Sequence, residues 1–367
     1  MNKRTRTTTT SNRVGSKKPR HHGTTHFSQQ RYGKFWNGTT SDPEIITVLV
    51  KRRDFAFHYD VTTSRLNLVQ EVWEHEIIPF FSVKELAMLR PTCRWCDEQW
   101  QEFLKRNTFR VPEQVPTIKE AMRVSFNLSK QKVYSKEKPL VVVLSEGEHV
   151  VEESWTDSDG DVHENTLDTT CSNVSFVGQG KDKTTVHGGF GLSNKKNVTV
   201  KSLTLTNLNG FGLYVQGEEA SVKITSVSVK RCKRVGLCVL SGGSAKATEC
   251  EFSENGGTGM YMSQGSKGII TDCTFHHNGG SGMYAQDECT LVELRGEKTE
   301  IHHNKAFALI ALHNATMNIF IPSRPITALI HDNKVRNLVA FNGGKIQSQL
   351  SSLSLELTVI YPVPQYM

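Results

Sequence analysis

Two histidine doublets, His276-His277 and His302-His303, stand 26 residues apart, and imidazole is the side chain that holds a proton or a transition metal near neutral pH. If the chain between them returns to its starting place, the doublets become neighbours in space. No carboxylate partner or further ligand accompanies them in sequence, so the pattern fits either an acid-base or metal site or a polar turn, and no resident metal is expected. Glu249 and Asp272 are 23 residues apart and permit a surface pair, short of the carboxylate cluster that flanks a glycosidic bond in hydrolases. The run DSDGDVHE at 157–164 has a calcium-loop composition without the ligand spacing, and reads as an exposed insertion. Tyr214, Tyr261 and Tyr284 form a series with Cys238 and Ile310. Facing outward, it makes a recognition surface of large rigid rings. Beneath a lateral loop or the helical domain, it is packing. The eight cysteines include one Cys-x-x-C, Cys93 to Cys96, with no second pair at zinc spacing, so free thiols are expected.

Elements that place these residues follow from a repeat. Gly212, Gly236, Gly259 and Gly282 recur at intervals of 24, 23 and 23 residues, and Ala308 continues the series after 26. Leu205, Val229, Phe252, Phe275 and Ile301 run in the same register with the same intervals. Two strands per turn of chain mean one solenoid coil per repeat. Alternation within each strand turns Leu203 and Leu205, Val227 and Val229, Cys250 and Phe252, and Cys273 and Phe275 inward. Asn255, Asn278 and Asn304 end strands, where an amide side chain can bond turn backbone, and Gly256-Gly257 and Gly279-Gly280 supply corners. Ahead of the repeats, Thr117 and Glu120 form a capping-box pattern, starting a helix with Ile118, Ala121, Met122 and Phe126 on its apolar stripe. One amphipathic helix there would cover the open end of a solenoid.

Coils of this length without helices between strands predict a mainly β chain, a right-handed parallel β-helix. Over roughly 112–345 the sequence resembles the pectin-lyase-like superfamily. That resemblance implies polysaccharide cleavage as one activity to weigh, through clustered carboxylates or through calcium-binding acids with an Arg or Lys base. The superfamily's Asn-Thr-Asp, Asp-Asp and Gly-His-Gly signatures do not occur.

Between residues 45 and 70, IITVLV and FAFHYDV are β-prone runs separated by KRRD, a hairpin pattern or a linker. From Leu68 to Leu104 the apolar spacing turns helical, interrupted at Pro79 and Pro91. Within it, VWEHEIIPFFSVKELAMLRPTCRW resembles an F-box: Trp73 and Glu74 near the opening, Ile77 and Ile78 on the aliphatic helix, Phe80 and Phe81 at its aromatic end, Leu86 and Leu89 on the second helix, then Cys93-Arg94. The usual opening Leu-Pro is missing, and Trp95 follows Arg94 directly. The resemblance implies docking of a ligase adaptor and cullin complex through Trp73, Ile77, Ile78, Phe80 and Leu86.

Residues 1–40 hold nine Lys and Arg and no acid, leaving 35 basic against 37 acidic residues in the rest of a 367-residue chain whose net charge is +7. The basicity belongs to the tail, where Lys17-Lys18-Pro19-Arg20 could serve nuclear targeting or contact nucleic acid. No run of 18 apolar residues and no apolar leader core is visible, so cytoplasm or nucleus is the expected location. The expected organisation is a disordered basic tail at 1–43, an F-box-like helical domain with preceding strands at 44–110, a cap with first strands at 111–170, β-helix repeats at 171–345 and a C-terminal strand or tail at 346–367. The expected function is the substrate receptor of a cullin-RING ubiquitin ligase, without cofactor, holding an unidentified protein on the β-helix. The alternatives are a polysaccharide lyase or glycoside hydrolase, or a β-helix binding protein without ligase connection.

Overall fold

A computed structural model describes residues 107–129, 133–157, 159–321 and 325–350, together with backbone strands at 45–50, 55–60, 65–66 and 353–356. The chain divides into two compact units, Met1–Gln70 and Glu71–Met367. In the first unit, Ile45–Val50 pairs antiparallel with Phe55–Asp60, Val50 opposite Phe55, and Arg65–Leu66 adds a third strand. The tail and the F-box-like run, with Trp73, Ile77, Ile78, Phe80 and Leu86, lie outside the described residues. Among the described residues, no helix is long and apolar enough to cross a membrane.

The second unit contains the solenoid. Each coil contributes a strand to three stacked parallel sheets, here called faces one, two and three in the order the chain visits them. One full coil runs through Val198–Lys201, Thr204–Thr206 and Leu213–Gln216 before Ser221–Thr225 returns to the first face. Face one has eleven strands and faces two and three have eight each. Parallel pairing in constant register places every repeat position above its equivalent, Val229 on Phe252 and Phe252 on Phe275. The inward side chains named from the alternation, Leu203 to Phe275, are all at most 2% exposed. Phe252 and Phe275 stack at 4.7 Å with their planes 8° apart. Burying such a side chain contributes about 2 kcal/mol or more through apolar area alone.

The corners follow from a few polar residues. Asn255, Asn278 and Asn304 are buried and bonded to one another along the axis, and the ladder continues to Asn333. At the equivalent place one coil earlier stands Cys232, whose amide donates to Asn255 Oδ1. The recurring glycines lie where backbones approach: a Cβ at Gly259 would sit 2.7 Å from the carbonyl oxygen of Gly282. A second corner column, Arg231, Glu254, His277, His303 and Asp332, adopts left-handed backbone with φ between 53° and 56°.

At the N-terminal end, the helix Ile118–Ser129 packs against strands Thr108–Val111 and Leu140–Leu144. Its start is capped, with the Glu120 amide donating to Thr117 Oγ1 at 3.1 Å. Ile118, Ala121, Met122 and Ser125 make the buried stripe, whereas Phe126, expected on that stripe, is 45% exposed. The spacing explains the difference. Val124 and Ser125 are buried with Ile118, Ala121 and Met122, which turns the buried face to the side away from Phe126. At the other end, Leu353–Glu356 turns back antiparallel on Lys345–Leu350.

Candidate functional site

Outward positions of face three form two rows. Gly191, Tyr214, Cys238, Tyr261, Tyr284, Ile310 and Val339 follow one another in register, and Gln286, Leu312 and Phe341 line up two residues along. Outward positions on an exposed sheet are ordinarily polar. Here Tyr261, Tyr284, Ile310, Leu312, Val339 and Phe341 are all half-buried. The two tyrosine rings meet edge-on at 5.2 Å, and Tyr284 donates to Gln286 Oε1 at 2.8 Å. Beside them Ser263 donates to Asp287 Oδ2 at 2.7 Å.

The first coils of this face are covered. The strands Trp155–Thr156 and Val162–His163 form a hairpin whose Trp155 occupies the space over Gly191, where a Cβ would come within 2.3 Å of the indole. Asp157 holds the turn: Oδ1 accepts the amides of Asp159 and Asp161, and Oδ2 meets His163 Nε2 at 2.8 Å. Burial works to raise the Asp157 pKa, but the bonds from His163 and those two amides outweigh it and hold the carboxyl below its usual value. His163 lies between Trp155, at 5.1 Å, and Tyr214, at 4.3 Å between ring centres. Asp159 Oδ2 takes a bond from Gln216 Nε2 at 2.6 Å, tying the turn to the sheet. The run DSDGDVHE is therefore anchored at Asp157, Asp159 and His163 rather than exposed throughout.

Of the three tyrosines expected to form a surface, Tyr214 is only 6% exposed beneath that hairpin, and burial pushes its hydroxyl pKa far up. Tyr261 packs against the edge of the Trp155, Tyr214 and Cys238 cluster, and Tyr284 follows on the next coil.

The histidines come together on face two. His276, His302 and His331 stack with ring centres 5.1 and 5.2 Å apart and planes 4° apart, and His277 stacks on His303 at 5.2 Å in the next column. Within each doublet the two Nδ1 atoms are 2.8 Å apart. Glu251 ends one column, its Oε1 3.0 Å from His276 Nε2, and Asp332 takes the second imidazole's place beside His331 Nδ1 at 2.8 Å. The bond from His276, helped by Ser228 and Ser253 against partial burial, lowers the Glu251 pKa to about 2. Burial first, and then the neighbouring imidazoles, lowers His302 to about 4. The first doublet does have a carboxylate partner, which sequence reading missed because Glu251 is 25 residues from His276. His331 was missed too, although His331-Asp332-Asn333 echoes the two His-His-Asn triplets.

Glu249 and Asp272 occupy left-handed corners on successive coils. Each is engaged separately, Glu249 by the Ser226 hydroxyl and Asp272 by the Lys298 amide. Cys171, Cys232, Cys238, Cys250 and Cys273 are free and buried, while Cys289 is free and exposed. Burial pushes the Cys232 thiol up to about 12, which removes it as a nucleophile at neutral pH.

Comparison with known protein families agrees with this architecture. Residues 160–323 match the family described as right handed beta helix region. The A-module of mannuronan C-5 epimerase AlgE4 from Azotobacter vinelandii is 15% identical over 62% of this chain and 78% of its own, with a TM-score of 0.36. The A-module of AlgE6 from the same organism is 14% identical over 68% of this chain and 96% of its own, with a TM-score of 0.24. No curated protein sequence matches significantly. The chain carries a right-handed parallel β-helix domain over residues 160–323.

Proposed function

We propose that this protein is a recognition scaffold that holds a partner protein on face three of its β-helix. The observation that carries this reading is the apolar character of the outward rows from Tyr261 to Phe341, in positions that a solvated sheet fills with polar residues. Aromatic and aliphatic anchors of this kind form the centre of protein interfaces. Joined to the F-box-like run, such a scaffold is the substrate receptor of a cullin-RING ubiquitin ligase. Trp73, Ile77, Ile78, Phe80 and Leu86 are then its adaptor contacts, and the partner on face three is the ubiquitination target.

Affinity purification of the intact chain beside two variants tests both halves. Replacing Tyr284 and Ile310 by Lys removes the target and leaves adaptor and cullin in place. Replacing Ile77, Ile78 and Phe80 by Ala does the reverse, with thermal melting as the folding control. If neither adaptor nor cullin accompanies the wild-type chain, the ligase half fails. If the face-three variant keeps every partner, the scaffold half fails.

A polysaccharide-processing enzyme is the second reading. The polar groups beside the tyrosines favour it, since Gln286, Asp287 and Ser263 next to two rings suit sugar hydroxyls and a pyranose face. Accumulation of reducing ends or unsaturated ends from a polysaccharide, abolished by Asp287→Asn, would establish this activity in place of the scaffold.

A further inference from the structure

Two successive coils of face two each bring the Nδ1 atoms of a histidine doublet to 2.8 Å, in the His276–His277 and the His302–His303 pair. Two nitrogens on adjacent corners of a square plane, with metal bonds of about 2.0 Å, are separated by about 2.8 Å, whereas a tetrahedral ion of similar bond length needs about 3.3 Å. The doublets match the first spacing. We propose that each doublet is a two-nitrogen clamp for a tetragonal divalent ion, copper(II) ahead of nickel(II) and nickel(II) ahead of zinc(II), with His276–His277 the tighter clamp.

The rank of the two clamps follows from what surrounds them. A ring nitrogen binds metal through its lone pair, so a ligating Nδ1 requires the ring proton to sit on Nε2. Glu251 Oε1, 3.0 Å from His276 Nε2, selects that tautomer, as carboxylates behind metal-bound imidazoles do. On His277 the proton moves from Nδ1 to Nε2 when the ion enters. The two lone pairs then turn from facing each other to facing a common point, which His277 can follow because it is exposed. On the next coil the Asp332 carboxylate lies against His331 Nδ1 at 2.8 Å in place of a second imidazole, so that pair is not a two-nitrogen clamp. Among the described residues, no three His, Cys, Asp or Glu side chains converge on one ion position. Each clamp therefore offers two nitrogens, with water completing the plane. Stacking at 5.1 to 5.2 Å sets two dications close together, so the second ion binds more weakly than the first.

The test is independent of what face three holds. The full-length chain is titrated with copper(II), nickel(II) and zinc(II) by calorimetry, with electron paramagnetic resonance reporting nitrogen coordination of copper. A His21→Asn, His22→Asn variant subtracts uptake by the basic tail. Wild type should take up one tight copper(II) with a two-nitrogen signal and a second at least tenfold weaker. The His277→Asn, His303→Asn variant should lose at least tenfold in affinity, and Glu251→Gln should weaken the first ion about tenfold. Asparagine tolerates the left-handed backbone at 277 and 303, and if the double variant melts early, His277→Asn alone gives the same readout on the first ion. Unchanged copper binding in the histidine variants would overturn the proposal, as would zinc(II) binding more tightly than nickel(II).

Discussion

At the scale of the residue, the histidine array makes stability depend on pH. His302 has a folded pKa lowered to about 4 from 6.5, by burial and then by His276, His303 and His331. Between those values the unfolded chain binds a proton that the folded chain refuses, so stability falls as pH drops from about 6.5 to about 4. The ring is only partly buried, and solvent screening reduces the effect to on the order of 1 kcal/mol. Glu251, lowered to about 2, loses its contribution in a separate window as pH falls below about 4.5. Denaturant melts of wild type and His302→Asn between pH 7 and 4 check this, the variant showing the shallower slope. Asn278 is a second sensitive position. Its Oδ1 accepts both the amide and the Nδ2 of Asn255, and its Nδ2 donates to Phe252 O and Asn304 Oδ1. Asn278→Ala leaves those buried groups unpaired and should cost about 3 kcal/mol, read from the denaturation midpoint. Three members of that ladder were visible in sequence as residues ending strands. Asn333 was not, because its spacing from Asn304 stretches to 29 residues and takes in the short helix Ile326–Leu329.

At the scale of the element, strands and cap were legible and the hairpin was not. Repeated inward positions such as Val229, Phe252 and Phe275 identify strands because each must match the coil above and below. Among the described residues the hairpin around Asp157 has no counterpart in the other coils, and its reason for existing is the space over Gly191, visible only once the coils are stacked. That is why Tyr214 could be placed in the outward column but not known to be covered. The helix Ile118–Ser129 was recognisable from Thr117 and Glu120 because a capping residue acts within one turn. Its function as an end cap also yields a prediction. Met122 is 2% exposed against the first coil, so Met122→Lys should detach the helix and uncover an open strand edge. Light scattering behind a sizing column should then find association that rises with concentration.

At the scale of the whole molecule, the described solenoid is a stack in which each coil touches its two neighbours, and cooperativity is passed from one coil to the next. The axial bonds named above, strand to strand and Asn255 to Asn278 to Asn304, all run in the direction in which the coils are stacked. This arrangement gives the protein a mechanical grain. A load applied along the axis meets the hydrogen bonds end-on and opens them one rung at a time, while a load across the axis must shear a whole coil through its packed interior. Held between residues 171 and 345 in an optical trap, the molecule should lengthen in repeated steps of about 75 Å, the contour of a coil of about 23 residues less its rise. Asn278→Ala should lower the force of the step nearest its own coil. A partner bridging several coils on face three would act as a splint, merging the steps it spans into one.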